Sequence, residues 1–213
     1  MITTNTPTSG HLDDPRSTFD RAITVAEGII VAVHPDQLTD PTPCTEMDVR
    51  TLLAHLVGVL DRVAALGNDE DPFAVAETPV ADDAWARTWT RSQRRTSDAW
   101  SDDTKLERTI TLPWLEGTGA DVLASYLAEL TVHTWDLATA TGQDPDWDET
   151  VVAAALAAPQ ILPGENRREL FAAIASASGL DEVPEPFAEV VEVPADAPAI
   201  DRLVAWYGRD PMS

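Results

Sequence analysis

From Ala120 to Thr141 the chain runs for 22 residues without a proline or a glycine, and its apolar side chains return at helical spacing. Val122, Tyr126, Leu130 and Leu137 share one face at about 100° per residue, which predicts a helix over about 120–141 with Gly142 as its C-terminal stop. Most of the stability of such a helix must come from burying that face against other elements. Yet Glu129 and His133 fall inside the same stripe. Their i, i+4 spacing stacks them one turn apart, with Cβ atoms ~5–6 Å from each other. A carboxylate on a buried face is costly unless it is paired or bound to a cation. The rest of the chain has to supply both the covering helices and a partner for this pair.

Three further stripes meet the first need. Phe19, Ile23, Ala26, Ile30 and Val33 recur at helical spacing, and the proline-rich stretch HPDQLTDPTPC (34–44) ends that helix. Thr45, with Asp48 three residues on, resembles a capping box that opens a second helix carrying Leu52, Leu53, Leu56, Leu60 and Val63 and stopping near Gly67. A third helix over about 82–100 has the stripe Trp85, Trp89, Thr96 and Trp100. ERTITLPWLEGTG (107–119) alternates and then turns on glycines, the pattern of a short β-hairpin. The expected fold is all-α, a four-helix bundle over 16–145 with one short hairpin. Residues 1–15 read as a loose tail. Residues 146–213 read as a small C-terminal helical extension, with short helices at VVAAALAA (151–158) and NRRELFAAIAS (166–176), a Pro- and Glu-rich segment at 181–198 and a closing helix AIDRLVAWYG (199–208).

Charge narrows the partners. Lys+Arg total 14 against 37 Asp+Glu, a formal net charge of −23 that speaks against nucleic acid and against anionic membrane surfaces. Cys44 is the single cysteine, so no intrachain disulfide is available. The opening MITTNTPTSGHLDDPRST lacks a basic and an apolar signal region, and no apolar run reaches the ~18 residues of a membrane span. The reading is a soluble, cytoplasmic protein.

The second helix offers a partner for the ionisable pair. In VRTLLAHLVGVL, His55 lies beside Leu52 and Val59 at the flank of the inward stripe, where a neighbouring helix can bring it opposite Glu129 and His133. Two imidazoles and one carboxylate suit Zn²⁺ with an open position, and the same set suits Fe(II) or Ni(II). A second reading of the same residues stands beside it. Glu129 and His133 would then pair with each other in the core, and His55 would hydrogen-bond a backbone carbonyl.

PTPCTEMDVRTLLAHLVG, LAELTVHTWDLATATG and DRLVAWYGRDP together resemble the actinobacterial mycothiol-dependent maleylpyruvate isomerase-like proteins, within the wider DinB-like group of metal-binding four-helix bundles. The resemblance runs over most of the chain from about residue 16. It implies a DinB-like bundle in which His55, Glu129 and His133 hold a divalent metal, zinc first among the choices. It further implies mycothiol as a thiol cofactor and a small electrophilic substrate. Two departures are visible. Met47 stands where the family often has tryptophan, and the tail after 146 is shorter than the α/β domain of the characterised isomerases.

Other residues carry weaker signals. Asp136, three residues after His133, reads either as the acceptor that orients the His133 ring or as a surface or arginine-paired aspartate. Cys44 precedes a helix start and reads as a small structural hydrophobe. Tyr126 is a pocket candidate, Trp135 points away from the pair, and His11 and His34 receive no role. Arg87, Arg91, Arg94 and Arg95 cluster on the third helix, either to bind an anionic substrate or to neutralise neighbouring aspartates. Three functions follow: a thiol-dependent metalloenzyme performing isomerisation or S-transfer, a non-catalytic metal-binding bundle, or a structural bundle without metal. A homodimer through an outer helical face is compatible with each.

Overall fold

The computed structural model describes residues 14–75, 79–113, 115–158, 164–170, 172 and 187–212. Helix α1 (Pro15–Val31) starts with proline in its first turn and with the Asp14 side chain accepting the Arg16 N–H at 3.0 Å. It buries Phe19, Ile23, Ala26 and Ile30 as the spacing predicts, and Ala22 and Ile29 widen the stripe. Val33 lies beyond the helix end and is only partly buried against the core.

Helix α2 (Val49–Gly67) begins three residues later than a Thr45 cap would place it. The expected Thr45–Asp48 capping box does not form. Asp48 is itself the N-cap and accepts the Thr51 N–H at 2.8 Å, while Thr45 is exposed. The preceding loop explains the shift. Thr42 Oγ1 donates to the carbonyls of Cys44 and Met47 at 2.9 and 2.7 Å, and Pro41 pairs with Asp48, so the backbone is folded back on itself before a helix can start.

Helix α3 (Trp85–Ala99) presses Trp85, Trp89 and Thr96 inward, followed by buried Trp100. It is fastened to α2 by polar contacts as well. Thr96 Oγ1 donates to the Leu60 carbonyl at 2.9 Å and Trp100 Nε1 to the Val63 carbonyl at 2.8 Å. Helix α2 has no basic residue in its own last turn. Its terminal carbonyls are met from elsewhere: Lys105, in the short helix α4 (Thr104–Glu107), donates to Gly67 at 2.5 Å, and Arg108 donates to Leu66 at 2.5 Å.

Strands β1 (Thr109–Leu112) and β2 (Leu115–Thr118) form the expected antiparallel hairpin. Its reversal lies between Leu112 and Leu115 rather than on glycines, because Gly117 pairs with Ile110 inside the ladder and Gly119 already belongs to the next helix. Helix α5 (Gly119–Ala140) opens on a reciprocal capping box, Thr118 with Asp121, and ends before Gly142, whose φ of +66° is the left-handed turn glycine allows.

Helices α1 and α2 do not stack on each other directly; each packs against both α3 and α5, which closes the four into a ring around the core. Helix α6 (Glu149–Ala157) lies on α5 and α1, and α7 (Ala199–Trp206) lies on α6 and α5. The architecture is the all-α, DinB-like bundle with a short hairpin. Residues 167–170 are helical as expected. His11 and the rest of the tail through residue 13, residues 173–176 of that predicted helix, and residues 181–186 lie outside the described residues. Among the described residues no helix is long and apolar enough to cross a membrane.

Candidate metal centre

Because α2 and α5 are ring neighbours, the flank of one faces the stripe of the other, and the three residues singled out by pattern meet. The His55 and His133 rings stand 4.6 Å apart between centroids at 74°, and His55 Nε2 lies 3.3 Å from Glu129 Oε1. One ligand atom from each of His55, Glu129 and His133 falls within 4.8 Å of the others. His55 Nε2 and His133 Nε2 are both buried and neither makes a hydrogen bond; the 3.3 Å approach to Glu129 lacks the alignment of one. Such orphaned nitrogens are costly in a core. Two imidazole nitrogens and a carboxylate brought this close are the donor set that a divalent cation satisfies. The side chains of His55 and Glu129 keep 17% and 23% exposure, whereas His133 keeps 1%, so the group is reached from the His55–Glu129 side.

The protonation states suit a ligand set. Burial alone would raise the Glu129 carboxyl, but the facing His55 ring and the Arg62 charge hold it below its ordinary range. Burial pushes the His133 imidazole down, against the pull of Asp136, so the ring is neutral. Its Nδ1 lies 3.0 Å from Asp136 Oδ2. Asp136 is held ionised against its burial by that contact and by Arg209, which assigns the proton to Nδ1 and leaves the Nε2 lone pair facing His55 and Glu129. The core couple of Glu129 with His133 is therefore not what the structure holds: His133 turns its Nδ1 to Asp136, and Glu129 faces His55.

Both readings of Asp136 are met at once. While it accepts from His133, the Arg209 guanidinium grips it with Nε to Oδ1 and Nη2 to Oδ2, each at 2.9 Å, all fully buried. Cys44, His133 and Asp136 form a second group of close ligand atoms. There, however, Arg209 already supplies the positive charge, and burial pushes the Cys44 thiol up and keeps it protonated. That group is closed around Arg209, and Cys44 is the buried small side chain expected of it.

The C-terminal extension reaches this centre, which sequence reasoning did not foresee. Phe187 stacks on His133 at 5.6 Å and 25°, Tyr207 meets Phe187 edge-on at 4.8 Å, and Arg209 lies over the Phe187 ring at 5.3 Å. Arg209 sits inside DRLVAWYGRDP, one of the three stretches that carry the family resemblance, and that was the signal available. Tyr126 is buried near Glu129, and burial with that negative charge raises its phenol. The same causes push Tyr207 up to about 12. Trp135 is half-buried beside Trp147 in a surface hollow away from the pair. His34 caps a 3-10 turn at Pro35–Gln37. In the α3 cluster, Arg95 pairs with Asp61 at 3.1 Å and Arg87 reaches Asp83 at 4.0 Å, but Arg91 and Arg94 have no carboxylate partner among the described residues.

A family model described as mycothiol maleylpyruvate isomerase N-terminal domain matches residues 19–138, which take in most of the bundle and all three candidate ligands. Two Mycobacterium tuberculosis proteins, the uncharacterized protein MT0763 (strain CDC 1551 / Oshkosh) and the uncharacterized protein Rv0738 (strain ATCC 25618 / H37Rv), are each 28% identical over 196 residues, covering 92% of this chain and 98% of theirs. No solved structure matches.

Proposed function

The chain belongs to the mycothiol maleylpyruvate isomerase N-terminal domain family, and from that premise we propose that it binds one divalent metal through His55, Glu129 and His133 and acts as a thiol-dependent isomerase or S-transferase on a small electrophile. The observation that carries the reading is the convergence of two buried, unbonded imidazole nitrogens with a carboxylate held ionised. Zinc is the first candidate, with nickel or iron(II) compatible with the same donors. A divalent ion held there would lower the pKa of a coordinated thiol, such as that of mycothiol, and so supply a nucleophile at neutral pH.

The chain's own part is to hold and orient. Asp136 keeps the His133 proton on Nδ1, Arg209 keeps Asp136 charged, and Phe187 stacks on the ring. Non-catalytic metal binding is the second reading. It is favoured by the limited exposure of His55 and Glu129, which leaves a narrow approach for a thiol.

Elemental analysis of the purified protein beside His133→Ala tests the metal. We expect about one equivalent of metal in the parent and its loss in the variant. A parent that neither carries nor takes up a divalent ion would sink the proposal. Calorimetric titration with mycothiol then separates the readings: binding that appears only in the metal-loaded protein supports the enzyme, and its absence supports the non-catalytic protein.

A further inference from the structure

Building on the metal reading above, we infer that Arg167 is a positioning residue for the metal centre: it ties down the strap of chain that lays Phe187 against the ligand His133. Asp136 orients His133 at one atom, Nδ1. A single hydrogen bond fixes that nitrogen and leaves the ring plane to be set by what packs on its faces. Phe187 is the stacked neighbour, 5.6 Å away at 25°, and His55 meets the ring edge-on at 4.6 Å. The place of Phe187 therefore bears on the direction in which His133 presents Nε2.

Phe187 lies outside every described helix and strand, so its place depends on what holds the residues that follow it. Arg167 Nη1 donates to the Ala188 carbonyl at 2.7 Å, and the Arg167 backbone N–H donates to Glu189 Oε1 at 3.0 Å. The Val191 N–H donates to the Ala205 carbonyl of α7 at 2.9 Å. Gly208, at φ +78°, lets the strap lie directly on the turn after α7. A Cβ there would be 2.6 Å from the Ala188 oxygen and 2.8 Å from its Cα. Tyr207 and Arg209, from the same turn, complete the seat of the Phe187 ring, edge-on at 4.8 Å and over its face at 5.3 Å.

Burial argues that Arg167 is there for its donors. The side chain is among the largest fully buried ones, with its guanidinium 5.4 Å from the Trp206 ring centroid. Arginine is almost never fully buried unless paired, because desolvating its charge is costly. An apolar side chain would fill the same space at lower cost. What a guanidinium adds is donors, and the one at Nη1 reaches the peptide next to Phe187.

The test is proton NMR of the His133 ring in the metal-free full-length protein, with zinc affinity measured in parallel by chelator competition. His133→Gln assigns the signal, and Phe187→Leu marks where it falls with no aromatic ring stacked on it. Arg167→Met keeps the backbone N–H to Glu189 and withdraws the side-chain donor to Ala188. Arg167→Lys restores a charged donor, and Gly208→Ala displaces the same peptide from its other contact. We expect the His133 resonance in Arg167→Met and in Gly208→Ala to move at least halfway to its Phe187→Leu position, and Arg167→Lys to bring it partway back. Zinc affinity should fall about tenfold in Arg167→Met. A resonance that stays at the parent position in these variants overturns the inference, whatever happens to their stability. So does parent-like zinc affinity in a variant whose resonance has moved. If Arg167→Met does not fold, Gly208→Ala decides by the same two readings. Shifted resonances in a protein that takes up no zinc would sustain Arg167 as the residue that seats Phe187 on His133 while the metal reading failed.

Discussion

His133 uses its two ring nitrogens for different purposes, and the residue-scale predictions follow from that division. Nδ1 is committed to Asp136, so Asp136→Asn replaces a charged acceptor by a neutral amide that can present the wrong atom. Metal affinity should fall ~10–100-fold, read by competition with a chelator of known affinity, while His55→Ala and His133→Ala should remove uptake altogether. Acid acts on the same ring. Burial holds folded His133 below its ordinary value of 6.5, so the unfolded chain takes up the proton first as pH falls. Below about pH 6.5 the unfolded state therefore binds more protons, and stability drops with falling pH until the lower folded value is passed. Glu129 and Asp136 are also held low, so their contributions are lost with the same sign further into acid. The metal-free protein should lose melting temperature on going from pH 7.5 to pH 5.5, less steeply in His133→Gln. A flat parent profile would contradict the burial argument.

At the scale of elements, two helix starts decide where the centre is built. Asp48, not Thr45, begins α2 and so sets the register that aims His55. Asp48→Ala should cost about 1 kcal/mol in urea denaturation, and Thr45→Ala should lie within about 0.5 kcal/mol of the parent. The start of α5 is set by close approach. A Cβ on Gly119 would lie 2.1 Å from the Lys105 carbonyl oxygen and 2.8 Å from the Trp100 ring. The backbone cannot yield cheaply there, so Gly119→Ala should destabilise by about 1–3 kcal/mol in the same measurement. The element patterns were legible because Leu52, Leu56 and Leu60, or Val122, Tyr126 and Leu130, state a period and a face without reference to anything distant. The Thr45 start was misread because the competing hydrogen bonds of Thr42 to Cys44 and Met47 are made by the loop as folded, and residue spacing does not encode them.

On the scale of the whole molecule, the C-terminal extension is part of the centre's support. Arg209 is the buried counter-charge for Asp136, and removing it leaves an uncompensated carboxylate in the core. Arg209→Met should cost about 3–5 kcal/mol and should also weaken metal binding, since Asp136 then rises toward its neutral form and no longer fixes His133. Chemical denaturation with and without zinc checks both; a variant as stable as the parent with full zinc affinity would mean the Arg209–Asp136 pair contributes neither.

The sequence by itself determined the helices, their inward faces and the hairpin, and it put Glu129 and His133 on one turn with His55 as a candidate partner, because periodicity and spacing along one helix are local properties that a chain carries unfolded. Only the tertiary structure decided that α2 and α5 are ring neighbours, that His133 turns to Asp136 rather than to Glu129, and that Phe187, Tyr207 and Arg209 close the back of the centre from the far end of the chain. It also decided which arginines of an acidic protein keep their charge unpaired. Each of these depends on which surfaces meet, and contacts between residues 73 positions apart, such as Asp136 and Arg209, have no period to betray them.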